Sequence, residues 1–262
     1  MNVRFATDTE IADWNSFVTA NPDGGNILQG REFIEQKVLA GWTARYIRIN
    51  ERAVAVIEKN IPLLGKVWYC PKGPSTTSAG DLKTLVKELR KFAQTNGVFT
   101  IKIEPELDYQ TDLSALGLLP TQPIQYNYST VYVDLSPSLN DILAGLPQNG
   151  RHAIRRAERD GVTVKAVPAT DENCQIMYDL FTGTAHGAGF AIRPPEYYRN
   201  FYRAYESVGT GQLFFAYFDG KVVAGAFAMV LGTKSMYKDG ASVRERTAYG
   251  ASHLLQWHVI QW

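Results

Sequence analysis

The chain has 262 residues, 27 Lys and Arg against 26 Asp and Glu for a net charge of +1, and is 45% hydrophobic and 20% charged. This composition excludes a disordered, collagenous or coiled-coil chain, and the near-neutral total requires any polyanion-binding surface to be local. Cys70 and Cys174 have no closely spaced partner, which excludes a disulfide scaffold and structural zinc; no apolar run approaches the roughly 20 residues of a membrane span, and the N-terminal MNVRFATDTEIADW has no leader pattern, so a cytoplasmic location is expected.

The first element is a short strand at Val3–Phe5, followed by a helix over Thr9–Thr19 carrying Ile11, Trp14, Phe17 and Val18 at helical spacing, with Thr9 as its cap. A second helix, Arg31–Ala40, leads into strands at Thr43–Asn50, Ala53–Lys59 and Lys66–Cys70. Asp81–Asn96 has the clearest helical pattern, with Leu82, Leu85, Val86, Leu89 and Phe92 on one face, Asp81 as cap and Gly97 as stop. Strands are predicted at Val98–Ile103 and at Thr130–Leu135 (TVYVDL), after which a similar order begins again. The second block has helices at Ile142–Leu146 and Arg151–Asp160, a strand at Val162–Val167, helices at Glu172–Ala185 and Tyr197–Tyr205, and strands at Gln212–Phe218, Lys221–Leu231 and Ser235–Ala241. Asp219-Gly220 between two apolar runs is a strong hairpin signal. The repetition predicts an α/β (α+β) chain made of a duplicated domain, 1–136 and 137–262. The last segment, Ala248–Trp262, is a helix with Leu254, Leu255, Trp257 and Ile260 on one side; no strand follows to cover it, so the second domain reads as incomplete and this side as exposed apolar surface.

Residues 151–165 hold Arg151, Arg155, Arg156, Arg159 and Lys165 and sum to +3. Arg151, Arg155 and Arg159 lie one helical turn apart, and a row of guanidinium groups suits phosphates; the alternative is a solvated basic face. Three stiff, charged loops could line a ligand groove: YCPKGP at 69–74, KIEPE at 102–106 and RPPEYY at 193–198. In the last, Pro194 restricts Arg193 to extended geometry and presents it in a fixed direction just before a helix. The chain has no HExxH, GxSxG or Walker A pattern, and His253 and His258 are not spaced as a metal pair. RTAYGA at 246–251 only loosely matches the glycine-bearing loop with which acetyltransferases bind the CoA pyrophosphate, since Tyr249 stands where the glycine belongs.

YCPKGP at 69–74, IKIEPEL at 101–107, TVYVDLS at 130–136, LPQNGRHAIRRAERDGVTV at 146–164, RPPEYY at 193–198 and YKDGAS at 237–242, in this order, together resemble the Fem family of peptidoglycan peptidyltransferases. The resemblance implies two acetyltransferase-like (GNAT-like) domains in tandem, of the compact type without a coiled-coil arm. It implies a non-ribosomal aminoacyltransferase that moves an amino acid from aminoacyl-tRNA to the stem peptide of a UDP- or lipid-linked muropeptide precursor. No cofactor, metal or DNA is implied, and the expected position is cytoplasmic, peripheral at the inner membrane face. By family role, Arg193 and Lys37 would hold the precursor's diphosphate, Glu104 and Phe99 would contact the precursor, and Tyr197 and Tyr237 would line the groove. Arg151, Arg155 and Arg159 are the candidate tRNA surface. The Phe-Lys pair that stabilises developing charge in the family falls beyond Trp262, so the catalytic residues are unknown: the chain is either a fragment of a longer protein or does not catalyse by the family mechanism. The alternatives are a CoA-dependent N-acyltransferase and a non-catalytic module that binds cell-wall precursors.

Overall fold

The computed structural model describes residues 1–108, 110–125, 130–189, 191–243 and 248–262. They form two compact units, one comprising Met1–Thr130 with Leu231–Lys234 and the other Val131–Val230 with Ser235–Trp262.

The first unit runs β1 (Val3–Phe5), α1 (Asp8–Ala12), α2 (Trp14–Thr19), α3 (Arg31–Leu39), β2 (Thr43–Ile49), β3 (Arg52–Ile61), β4 (Gly65–Cys70), α4 (Ala79–Thr95) and β5 (Val98–Ile103). Its sheet has the order β1-β2-β3-β4-β5. The first four strands pair antiparallel, and α4 carries the chain from β4 to a parallel β5. Leu85, Leu89 and Ala93 of α4 pack on Ile47, Ile49, Val54, Val56 and Trp68 of the sheet. Two helix starts differ from the sequence expectation. The single helix over Thr9–Thr19 is two helices meeting at Asp13, and the first is capped by Thr7, whose side chain accepts from the Glu10 N–H while the Glu10 carboxylate accepts from the Thr7 N–H. This reciprocal pair satisfies two helix-end donors at once, which Thr9 could not do. Likewise Ser78, not Asp81, caps α4. The Asp81 carboxylate instead accepts from Arg52 at 2.7 Å and Thr76 at 2.9 Å.

One feature of this sheet is made by side chains. β4 pairs with β3 only as far as Ile57↔Tyr69, leaving the backbone of Ala53 and Ala55 buried beyond its end. Two buried amides complete the ladder there. Asn21 accepts from Ala53 N–H at 3.0 Å and donates to its carbonyl at 2.9 Å. Gln29 accepts from Ala55 N–H at 2.8 Å and donates to the carbonyls of Ala55 at 3.0 Å and Pro71 at 2.6 Å. Each amide does for one residue what a neighbouring strand would do.

The second unit runs α5 (Leu139–Gly145), α6 (Gln148–Arg159), β6 (Thr163–Val167), α7 (Asp171–Ala188), α8 (Pro195–Ser207), β7 (Gly211–Phe218), β8 (Lys221–Leu231), β9 (Lys234–Ser242) and α9 (Ala251–Gln261). Its sheet order is β6-β7-β8-β9. Asp219 and Gly220 both take positive φ, 48° and 73°, as a two-residue hairpin turn requires. β8 is buried on both faces: Ala224, Ala226 and Ala228 cluster with Ile154 and Ala157 of α6 and Leu254 and Leu255 of α9. On the opposite face Phe227 stacks on Tyr202 of α8 at 4.4 Å, and a Cβ at Gly225 would come within 2.6 Å of the Met177 sulfur of α7. Gly250, at φ 77°, starts α9 so close to α6 that a Cβ there would lie 2.2 Å from the Ala153 carbonyl oxygen.

The expectation of exposed apolar surface along α9 is corrected in part. Leu254, Leu255 and Trp257 are buried, because α6 and the sheet already cover that side. An open apolar groove of about 400 Å³ remains beside Trp257 and Ile260, bounded by Leu146, Pro147 and Ile154. The strand expected at Thr130–Leu135 is absent, and the whole run is exposed. Among the described residues no strand pairs with it, and a strand is defined by its partner.

Candidate functional site

In the second unit the site is built around the start of α8. Pro194 and Pro195 set the entry to the helix and supply its first residue. Tyr198, Phe201, Tyr202 and Tyr205 then repeat at helical spacing and are all buried, anchoring α8 on Phe227. With the helix so fixed, the residues just before it are fixed too. The Arg193 backbone N–H donates to the Tyr198 hydroxyl at 3.3 Å. The Arg193 guanidinium is exposed and lies 5.5 Å from the centre of the Tyr197 ring, which in turn stacks on Phe201 at 6.2 Å. Arg193 and Tyr197, singled out separately in the sequence, therefore form one cation–aromatic pair.

β9 passes the same aromatic cluster and contributes two residues that sequence reasoning missed. The Lys238 ammonium lies 2.9 Å from Asp239 Oδ1 and 5.4 Å from the centre of the Phe201 ring. The buried Tyr202 hydroxyl donates to Asp239 Oδ2 at 3.2 Å. Burial pulls the Lys238 ammonium toward neutrality, but the charge and hydrogen bond of Asp239, together with Tyr197 and Tyr198, hold the lysine above its ordinary pKa. Burial likewise raises the Tyr197 phenol, opposed by Lys238 and then Arg193. Tyr237, one residue earlier, is half-exposed and turns to Gln256 of α9; its phenol is raised by burial. The available signal was the adjacent Lys-Asp pair itself, in a strand whose other charged residue is Lys234 at its start.

The candidates in the first unit are placed as follows. Lys37, in the last turn of α3, lies 4.6 Å from the Phe33 ring centre. Phe99 is half-exposed on β5. Glu104 follows the end of β5 and accepts from the Tyr69 hydroxyl at 2.6 Å and the backbone N–H of Ile124 at 2.6 Å. It thereby ties the strand end to the 124–125 segment, and its charge adds to burial in raising the Tyr69 phenol.

The basic helix α6 divides. Arg151 donates to the carbonyls of Ala144 and Leu146 at the end of α5, acting as a C-terminal cap. Arg156 pairs with Asp160 at 3.3 Å and lies 4.7 Å from the Tyr249 ring centre. Arg155 and Arg159 are exposed, and among the described residues neither has an ion-pair partner. In the acetyltransferase-like loop at 246–251, residues 246 and 247 lie outside the described residues; Gly250 is accounted for by its close approach to α6.

Residues 9–117 match the FemAB family, and residues 147–262 match the acetyltransferase (GNAT) domain. Among curated proteins, the lipid II:glycine glycyltransferase of Staphylococcus aureus strain MRSA252 is 27% identical over 229 residues, covering 79% of this chain and 53% of the relative. The chain thus spans about half the length of the curated relatives it matches. Among solved structures, FemX superposes with a TM-score of 0.80 at 20% identity, over 100% of this chain and 85% of FemX. A conserved protein of unknown function from Bacteroides thetaiotaomicron gives 0.56 at 15% identity, over 99% and 86%. Residues 9–117 are thus similar to the FemAB family and residues 147–262 to the acetyltransferase (GNAT) domain, and the chain has the fold seen in FemX.

Proposed function

We propose that this chain acts as a non-ribosomal aminoacyltransferase that moves an amino acid from aminoacyl-tRNA to the stem peptide of a UDP- or lipid-linked muropeptide precursor, on the cytoplasmic side of the membrane. The observation that carries this reading is the Arg193–Tyr197 pair at the proline-braced start of α8. A fixed, exposed guanidinium on an aromatic ring suits an anionic precursor headgroup. The FemAB match over residues 9–117 and the named activity of the glycyltransferase relatives support the acyl-transfer chemistry. In that reaction the acceptor amine attacks the ester carbonyl carbon, a C–N bond forms, the C–O bond to the tRNA ribose breaks, and the amine proton ends on the departing hydroxyl. The tetrahedral intermediate carries an oxyanion that a cation or amide donors must stabilise. Arg155 and Arg159 are the exposed cations of α6 available to tRNA phosphates, with Arg151 contributing through the α5–α6 junction. Lys37, Phe99, Glu104 and Tyr237 complete the set proposed to meet the precursor.

The test is a transfer assay with charged tRNA and a UDP-linked muropeptide, read by the mass gained by the acceptor. One added aminoacyl residue is expected, with Arg193→Gln weakening muropeptide binding about tenfold or more, the effect of removing a charge-assisted hydrogen bond. Unchanged affinity would remove Arg193 from the site. CoA-dependent N-acyl transfer is the second reading, favoured by the acetyltransferase match at 147–262; acyl transfer from acetyl-CoA with none from charged tRNA would establish it instead. Precursor binding with no transfer from either donor would leave a binding module.

A further inference from the structure

Asp239 satisfies the buried Tyr202 hydroxyl, but among the described residues Lys238 satisfies no hydrogen-bond partner other than Asp239. Taking an ion pair out of water costs more than its mutual attraction commonly returns, so a largely buried pair in a strand that passes an aromatic cluster calls for another explanation. The ammonium has three N–H donors. Asp239 takes one, Phe201 offers a ring face, and among the described residues no other acceptor reaches it, while a quarter of the side chain remains exposed. The Arg193 guanidinium is in the same condition: five donors, a neighbouring ring, and no acceptor among the described residues. The two cations flank one run of rings: Arg193 lies 5.5 Å from the Tyr197 ring, Tyr197 stacks on Phe201 at 6.2 Å, and Lys238 lies 5.4 Å from the Phe201 ring. Both oppose the rise in the Tyr197 pKa, and two cations with unfilled donors beside one aromatic cluster suit an anion.

We propose that Lys238 is a second anion-binding residue of the Arg193 site, held in place by Asp239 and Tyr202, so that the two cations together take the diphosphate of the substrate. This rests on the functional reading above for the identity of the ligand, but not for the existence of the anion site. Asp239 is a positioning residue: it fixes the ammonium from the buried side and keeps it charged, and Tyr202 holds the far carboxylate oxygen.

The experiment titrates the full chain with two probes, inorganic pyrophosphate and a UDP-linked muropeptide. Lys238→Gln and Arg193→Gln are each expected to weaken pyrophosphate binding about tenfold, and Lys238→Arg, which keeps the charge, to restore most of it. The charged and titratable groups facing Lys238 are Asp239, Tyr197 and Tyr198, with Tyr202 behind Asp239. In Asp239→Asn the ammonium loses its counter-charge, so the pH at which pyrophosphate affinity is half lost should move down, a change that a purely structural role would not produce. A Lys238→Gln chain that binds pyrophosphate as the wild type does, or a wild-type chain that does not bind it, overturns the proposal. An Asp239→Asn pH profile superposable on the wild type's overturns the positioning role. Failure of the functional reading looks different: pyrophosphate then binds through Lys238, but the muropeptide binds no more tightly than pyrophosphate.

Discussion

The polar side chains that matter most in the two units are used differently. In the first, several are turned inward and hydrogen-bonded within the fold. Asn21 and Gln29 finish a strand ladder, Glu58 joins Arg45 to the Trp68 indole, Arg52 meets Asp81, and Glu104 gathers Tyr69 and a backbone N–H. In the second, the informative cations have one fixed side and one open side: Arg193 on Tyr197, Lys238 on Asp239, and Arg155 and Arg159 on the outer face of α6. A polar group whose valences are filled from within specifies the fold; one held by a single neighbour is available to a ligand. The contrast locates the candidate chemistry of the second unit without reference to any motif.

The contrast would break first at Gln29. Gln29→Leu strips three buried backbone groups of their partner, and at about 1–3 kcal/mol for each group left unsatisfied this substitution is expected to be the most damaging. Urea denaturation followed by Trp fluorescence would measure it, and a destabilisation below about 1 kcal/mol would show that water or a neighbour replaces the amide. Next is Gly250→Ala, which puts a Cβ against the Ala153 carbonyl oxygen at a positive φ. The left-handed conformation alone costs about 1 kcal/mol or more for a non-glycine residue, and the clash adds to it, so a fall in the melting temperature is expected. An unchanged melting temperature would mean that α9 moves off α6 freely.

The basic helix offers a sharper comparison within one element. Arg155→Gln with Arg159→Gln should leave stability intact and flatten the slope of log tRNA affinity against log salt by roughly 0.7–0.9 for each phosphate no longer neutralised. Arg151→Gln should instead lower stability with little change in slope, because its guanidinium is bound to the end of α5. Slopes equal to the wild type's in both variants would return the helix to a solvated face. The smallest expected effect is at Glu10, whose carboxyl is held down to about 2, first by the Arg4 hydrogen bond and then by the Thr7 backbone N–H. Because its folded pKa lies below the unfolded value of about 4.3, its stabilising contribution is complete above that value and is lost as the pH falls through about 2. Glu10→Gln should remove that part of the acid sensitivity, as denaturation at successive low pH values would reveal; an acid profile identical to the wild type's would show that the capping pair does not set it.

Much of the fold was legible because it follows from local pattern. The apolar face of α4, the Asp219-Gly220 hairpin and the aromatic spacing of α8 each state their structure within a few residues. The parts not legible depend on distant partners. Asn21 and Gln29 act on backbone 32 and 26 residues away, and nothing in their neighbourhood marks them. Arg151 had the spacing of a phosphate row, yet its partners lie at the end of the preceding helix. In the site, Arg193 and Tyr197 stood out because proline makes direction readable, whereas Lys238 was passed over in a segment noted for Tyr237, since strand alternation alone does not say that an acidic neighbour will be buried with it.

The run from Thr130 to Leu135 has a consequence for the protein in solution. Val131 is 86% exposed and Tyr132 75%, so six residues of strand-forming composition present themselves to any extended peptide that drifts past, including the same run on another molecule. This is the arrangement from which intermolecular sheets grow. Asp134 places a charge inside the run and Pro137 removes a donor just after it, the two residue types that interrupt such growth. Light scattering of Asp134→Asn should register the removal of that charge as faster growth of large particles; an unchanged rate would mean that the run is not a nucleus.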